Sequence, residues 1–250
     1  MTPYLQMRMA NKDKGAGIRA EGSTLWLYDV IASDDIEAAW FGGISPIAFM
    51  AALAQTTGPV LLRINSPGGS VFGAQAMVAA MRAHDQPITA RVDSLAASAA
   101  SVIASEAAQL EVVQGAMVMI HKAWGMAMGN EDDMRATADL LGKIDLQIAA
   151  TYARRSSSDP AAWLDMMRAE TWFDANEAVT AGLADRIVDE NKQRPAAKWD
   201  LSAFHAAPWQ PDPQPVEAAQ IKQATPAPVT QDLRQVRARQ LAARLVAHDI

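Results

Sequence analysis

Cysteine is absent from the 250 residues. That removes disulfides, a thiol nucleophile and any thiolate metal site, and it suits a reducing compartment. Histidine is scarce, with only His84, His121, His205 and His248. Any chemistry that needs an imidazole must choose among these four. Basic residues are outnumbered, 22 Lys and Arg against 28 Asp and Glu, for a formal charge of −6. Phosphate affinity rests on clustered cations, so a general nucleic-acid binder is disfavoured. No stretch reaches the ~20 apolar residues that span a bilayer. The first residues, Met1-Thr-Pro-Tyr-Leu-Gln-Met-Arg-Met, hold no apolar core of about 7–15 residues and no clear cleavage site. A soluble, cytoplasmic protein is expected. There is no internal repeat, no P-loop ending in Gly-Lys and no Gly-x-Gly-x-x-Gly.

What is present is an alternation of short apolar runs with helical patterns. Residues 1–22 read as a polar, flexible lead-in. Thr24–Ile31, Pro59–Asn65 and Pro87–Asp93 are strand candidates, rich in β-branched and aliphatic residues. Ser45-Pro46 caps one helix and Asp159-Pro160 another. Leu110–Val113 and Ala116–His121 read as two further strands, and 131–152 as a long helix with apolar residues at Met134, Ala138, Leu141, Ile144 and Ile148. Thr171-Trp-Phe, Asn176–Leu183 and Ala184–Val188 close the region as strand, helix, strand. Such alternation predicts right-handed crossovers and a mostly parallel sheet, whose functional groups lie beyond the strands' carboxyl ends.

After Asp189 the texture changes. Residues 191–230 hold seven of the thirteen prolines and read as a linker that forms no packed core. Residues 231–250 have helical periodicity and four arginines; a solvated tail and a docking segment are both open readings.

Three segments sit at strand ends. Ser94, Ser98, Ser101 and Ser105, spaced four, three and four apart, share one helix face. Taken alone the stripe reads as close packing. If one serine is reactive it is Ser98, nearest the strand–helix junction, where free amides and the helix dipole stabilise an alkoxide. Gly68-Gly69 is either a tight turn or a pair of amides offered to a carbonyl. His121 closes a strand, so it is held more firmly than the other three histidines; a satisfied structural histidine is the bland alternative. Lys122 is a rival base, but strand alternation points it to the opposite face.

Ile64-Asn-Ser-Pro-Gly-Gly69, Ala96-Ala-Ser-Ala-Ala100, Met119-Ile-His121 and Glu177-Ala-Val-Thr-Ala-Gly-Leu-Ala-Asp185 occur in one order. In that order and spacing the chain resembles the Clp protease proteolytic subunit over about residues 24–188. Trp40-Phe-Gly-Gly-Ile-Ser45 and the Pro-rich tail look most like the phage and prophage branch, whose members are Clp-like proteases of head maturation. The resemblance implies an α/β, crotonase-like superfold of repeated β-β-α units with a protruding handle helix, here about 131–152, and a Pro-rich C-terminal extension. The implied layout is a protease domain over 23–190, a linker over 191–230 and a basic amphipathic helix over 231–250.

The resemblance also implies serine endopeptidase chemistry. Ser98 would be the nucleophile, His121 the general base and Glu170 the third triad member, where the family usually has Asp; Asp174 is the nearby alternative. The amides of Gly69 and Ala99 would form the oxyanion hole. No metal or organic cofactor is implied. The implied partners are a polypeptide substrate, such as a capsid or scaffold protein, a homo-oligomeric ring of one or two heptamers, and an ATP-driven (AAA+) unfoldase. Rival readings are a catalytically silent ring-forming scaffold, an acyl-CoA enzyme of the same superfold and a Ser–Lys peptidase using Lys122.

Overall fold

Strand and helix signals alternate through most of the chain, and the computed structural model, which describes residues 3–189 and 199–208, folds them around one sheet. The described residues all fall in one compact unit, Met1–Asp212. In chain order the elements are α1 (Pro3–Asn11), β1 (Gly17–Glu21), β2 (Thr24–Tyr28), α2 (Asp35–Phe41), α3 (Pro46–Leu53), β3 (Val60–Ser66), α4 (Val71–Arg82), β4 (Ile88–Ala97) and α5 (Ala99–Ser105). They continue with β5 (Gln109–Val113), β6 (Met117–Ile120), α6 (Glu131–Ser156), α7 (Pro160–Arg168), β7 (Thr171–Phe173), α8 (Ala175–Thr180) and β8 (Arg186–Val188).

The main ladder runs β1-β2-β3-β4-β5-β8, parallel except for the β1–β2 hairpin. Beyond it β6 lies parallel to the far end of β4, and β7 is antiparallel to β6. The switch happens within β4. Thr89–Val92 pairs with β5, whereas Leu95–Ala97 pairs with β6. The register against β3 shifts between these halves, from Ile64↔Val92 to Ser66↔Ala96, so β4 carries two extra residues. Such a bulge bends its strand and re-aims the residues beyond it. Asp93, at the bend, accepts two hydrogen bonds from the Arg63 guanidinium (2.8 and 2.9 Å) and another from the Tyr28 hydroxyl.

Burial follows the strand period. Ile88, Ala90, Val92 and Ala96 of β4 face the large core beneath the helices, together with Leu62, Ile64, Phe49, Met77 and Ile103. Leu95 and Ala97 face the other way, into a second cluster with Met7, Val30, Met119, Trp199, Leu201 and Phe204. Beside α6 and α7, Trp163 is fully buried against Tyr152 and Phe173, and its indole N–H reaches the hydroxyls of Ser156 and Ser158 at 2.8 and 2.7 Å. Trp163→Ala leaves a cavity, while the Ser156 and Ser158 hydroxyls keep each other as partners at 2.7 Å. It is expected to cost about 3–5 kcal/mol of stability, read as a lowered denaturant midpoint with unchanged slope.

Three expectations need correction. The lead-in is ordered from Pro3: α1 and the edge strand β1 form because Met7, Arg8 and Asn11 have burial sites waiting for them. Arg8 donates to the carbonyls of Ile31 (3.3 Å) and Gly42 (2.7 Å) and pairs with Glu37. The Pro-rich stretch also packs in part. Residues 199–208 carry Trp199, Leu201 and Phe204 onto the second cluster, because three large apolar side chains in six residues outweigh the polar, proline-rich surroundings. Finally, β4 runs to Ala97, so Ser94 lies on the strand and only Ser98, Ser101 and Ser105 keep helical spacing. The basic segment over 231–250 and His248 lie outside the described residues.

Candidate active site

Ser98 stands between β4 and α5 in a conformation few L-residues adopt, with φ 54° and ψ −125°. A left-handed φ at a non-glycine costs on the order of 1–3 kcal/mol and persists only where surrounding contacts hold it. Here the Ser98 amide donates to the Met119 carbonyl of β6 at 2.9 Å. Its side chain makes no capping bond to α5. Instead Ser98 Oγ lies 2.7 Å from His121 Nε2. The two extra residues of β4 make this meeting possible, since they carry Leu95–Ala97 across to β6, and β6 ends one residue before His121.

The other serines have structural partners. Ser101 Oγ donates to the Ser98 carbonyl (2.6 Å) and meets the Tyr152 hydroxyl at 2.8 Å, while Ser105 Oγ donates to the Ser101 carbonyl (2.7 Å). Both are buried packing positions.

Gly68 and Gly69 follow β3 with φ of 92° and 146°, both in the region that favours glycine. The turn presses directly on the serine. A Cβ at Gly68 would sit 2.8 Å from Ser98 Cβ and 3.0 Å from the Ala99 nitrogen. It is also stitched to the loop after β2, where the Ile31 amide donates to the Gly68 carbonyl and the Ser70 amide to the Ile31 carbonyl. Neither the Gly69 nor the Ala99 amide has a hydrogen-bond acceptor among the described residues. Two uncommitted donors beside a hydroxyl can hold an oxyanion.

His121 is buried, edge-on to Trp124 (4.5 Å between ring centroids) and to Phe204 (5.5 Å). Burial lowers its pKa from 6.5 to about 4, and the Glu170 and Asp145 carboxylates pull weakly the other way. In the unfolded chain the imidazole takes a proton near pH 6.5. Above that pH both states are neutral and the group contributes no difference. Between pH 6.5 and 4 only the unfolded chain binds the proton. Stability therefore falls as pH drops through that window, by about 3 kcal/mol at most. The folded imidazole meanwhile remains a neutral acceptor down to about pH 4. The reaction of Ser98 with an acylating or phosphonylating probe is expected to lose its rate near pH 4, and an acid limb at the ordinary 6.5 would contradict the burial.

Glu170 lies just before β7 and His121 just after β6, next to the last paired residues of the two strands (Ile120↔Thr171). Its carboxylate nevertheless turns elsewhere. Oε2 accepts the His205 amide at 3.0 Å and Oε1 the Ala206 amide at 2.6 Å, with the Trp172 indole N–H at 3.4 Å. Two converging backbone donors satisfy a carboxylate well. No hydrogen bond joins Glu170 to His121 among the described residues. Asp174, the alternative, caps α8 by accepting the Glu177 amide at 2.8 Å. Lys122 points away from Ser98, to Asp145 Oδ2 at 3.1 Å. His84 is half-buried and bonded locally to Gln86.

Sequence reasoning missed two contributors. Asp145 is buried on α6, accepts the Ala123 amide (2.8 Å) and pairs with Lys122, so it pins the two residues after His121. Its place beside Ile144 and Ile148 in the apolar stripe was the available signal. The other is the 199–208 segment, whose Trp199, Leu201 and Phe204 stand out within a proline-rich stretch.

The family model described as Clp protease matches residues 36–191. The chain belongs to the Clp protease family. The ATP-dependent Clp protease proteolytic subunit of Leuconostoc citreum is 30% identical over 146 residues, covering 57% of this chain and 73% of the relative. Proteolytic subunit 1 of Protochlamydia amoebophila is 25% identical over 198 residues, covering 76% and 96%. The Bacteroides thetaiotaomicron subunit is 29% identical over 132 residues, covering 52% and 60%. Family membership and relatives named as proteolytic subunits support a peptidase. Ser98, His121, Gly69, Ala99 and Glu170 lie within the matched span, whereas Ile31 and residues 199–208 lie outside it. No described helix is long and apolar enough to cross a membrane.

Proposed function

We propose that this Clp protease family member is a serine endopeptidase in which Ser98 is the nucleophile and His121 the general base. The observation that carries the reading is the 2.7 Å contact between Ser98 Oγ and His121 Nε2, beside the uncommitted amides of Gly69 and Ala99. Ser98 Oγ attacks the scissile carbonyl carbon as its proton passes to His121 Nε2. The carbonyl oxygen gains the negative charge and is held by the two amides. The imidazolium then protonates the leaving amine, the C–N bond breaks and an acyl-Ser98 ester remains. A water that gives its proton to His121 attacks that ester, and the proton returns to Ser98 as the new carboxyl product leaves. Glu170, the first charge that raises the His121 pKa, is the group to orient and stabilise the imidazolium. No step calls for a metal or organic cofactor.

Labelling with a fluorophosphonate tests the assignment. Modification is expected at Ser98 alone; a protein that stays unlabelled, or an Ser98→Ala variant that still labels, would remove Ser98 from the role.

The finer reading follows the resemblance. The substrate is a polypeptide, a capsid or scaffold protein of a phage or prophage head, cut within the host cytoplasm or the procapsid. The working form is a ring of one or two heptamers, with α6 as the handle between rings. The exposed Met134, Leu140 and Leu146 on α6 support that role, since large apolar groups on a helix surface are usually covered in an assembly. An AAA+ unfoldase would deliver folded substrates. A silent ring-forming scaffold is the second reading, favoured by the engagement of Glu170 with the amides of His205 and Ala206 rather than with His121. Cleavage of a short fluorogenic peptide by purified oligomers separates the two.

A further inference from the structure

Residues 199–208 cross the face of the sheet that carries His121 and Glu170, and they are fastened at four places. The Trp199 indole N–H donates to Asn65 Oδ1 at 2.8 Å, in the residue run that leads to Gly68-Gly69. Asp200 is clasped by Asn11 of α1, its amide donating to Asn11 Oδ1 (2.7 Å) and its carbonyl accepting from Nδ2 (2.8 Å). Phe204 is fully buried, edge-on to His121, stacked on Trp124 at 5.3 Å and edge-on to Trp172 at 6.0 Å. The next two amides take both oxygens of Glu170.

Two of these four contacts fall on the proposed catalytic groups themselves. Phe204 closes the imidazole off from water and from any group that would approach along that side. The amides of His205 and Ala206 hold the Glu170 carboxylate, whose charge acts on the same imidazole. Held there, the carboxylate makes no hydrogen bond to His121 among the described residues. Ser98 itself stays partly exposed, so the strap does not plug the nucleophile; it disarms the base.

We propose that residues 199–208 are a tethered inhibitory strap, which covers His121 with Phe204 and withholds Glu170 from it through the amides of His205 and Ala206. The proposal rests on the serine-peptidase reading for its consequence and on geometry for its mechanism. Release of the strap frees Glu170 to accept a hydrogen bond from His121 Nδ1–H and re-solvates the ring. The titratable groups on the elements packed about His121 are Glu170 before β7, Asp145 of α6 with its partner Lys122, and His205 on the strap. Of these, only Glu170 changes partner when the strap leaves.

Two single substitutions in the full chain test this. Phe204→Ala removes the cover, and Ala206→Pro removes one donor to Glu170 while leaving the apolar packing in place. Folding of each is checked by thermal unfolding. The readouts are the rate of fluorophosphonate labelling at Ser98 and the rate of His121 carbethoxylation by diethyl pyrocarbonate, mapped by peptide mass spectrometry with His84, which the strap does not touch, as internal reference. Both variants are expected to label at Ser98 about tenfold faster or more, because disabling the third member of a serine triad costs up to about 10⁴ in rate. Phe204→Ala should also speed His121 modification severalfold. If wild type labels and the folded variants label no faster, the strap is a structural element and the inference fails while the peptidase reading stands. Should nothing label, wild type included, the peptidase reading is lost. His121 carbethoxylation then decides alone: unchanged rates in Phe204→Ala would overturn the cover, and faster ones would uphold it.

Discussion

Ser98→Ala and His121→Ala are each expected to lower peptide hydrolysis by about 10⁴- to 10⁶-fold, and the double variant to be no worse than the poorer single one. The reason is that the two side chains act as one unit. Without its base, the Ser98 hydroxyl keeps its proton at neutral pH and is a weak nucleophile. Without the hydroxyl, the imidazole at 2.7 Å has no proton to take. Removing the second partner then removes nothing further. The residual rate comes from binding and from the amides of Gly69 and Ala99. Kinetics of a fluorogenic peptide with the two single variants and the double variant check this directly. Losses that multiply, so that the double variant falls far below both singles, would mean that Ser98 and His121 act independently and that the contact between them is incidental. Stability should respond weakly to Ser98→Ala, because this serine caps nothing and its backbone strain is held by other contacts.

Gly69→Ala is expected to cut turnover by about 10²–10³-fold, the usual cost of losing an oxyanion donor. Its φ of 146° lies where L-residues seldom go, and a Cβ there would fall 2.1 Å from the Ile31 carbonyl oxygen. That oxygen cannot retreat. It accepts the Ser70 amide at 2.9 Å and the Arg8 guanidinium at 3.3 Å, and Arg8 is itself fully buried. The chain must instead pull the Gly68-Gly69 turn away from Ser98, taking the Gly69 amide with it. The strain is expected to cost about 1–3 kcal/mol as well. Activity and thermal unfolding, measured together, distinguish the effects: a variant that keeps full turnover would exclude the Gly69 amide from the site, whatever its stability. Fluorophosphonate labelling should slow in parallel, since the probe's oxygen occupies the same place as the oxyanion.

Local pattern carried much of this protein. The helix starts at Ser45-Pro46 and Asp159-Pro160, the two glycines after Asn65, and the strand that leads into His121 were all legible, because each rests on contacts within a few residues. Capping bonds, a fixed proline φ and the conformational freedom of glycine do not depend on distant parts of the chain. The order of four short motifs was enough to point to the family. Ser98 could be singled out from its stripe by its place at a strand end. Its partners Ser101 and Ser105 owe their roles to Tyr152 and to the turns of α5.

Other features needed the folded chain. The two extra residues in β4 bring residues 98 and 121 together, and a bulge has no reliable signature when its flanks read simply as strand and helix. The lead-in and the proline-rich stretch looked unable to pack because each was weighed by its own composition. They pack because Asn11 clasps Asp200 across 189 positions, and because Met7, Trp199, Leu201 and Phe204 bury one another on a sheet face that neither stretch could cover alone. The partner of Glu170 was decided in the same way. Residue type and position marked it as a carboxylate facing an imidazole, but a carboxylate bonds to whichever donors converge on it, and here those are two amides from the far end of the described chain. Side-chain chemistry is written residue by residue; which groups meet is settled only when strand register and long-range burial close together.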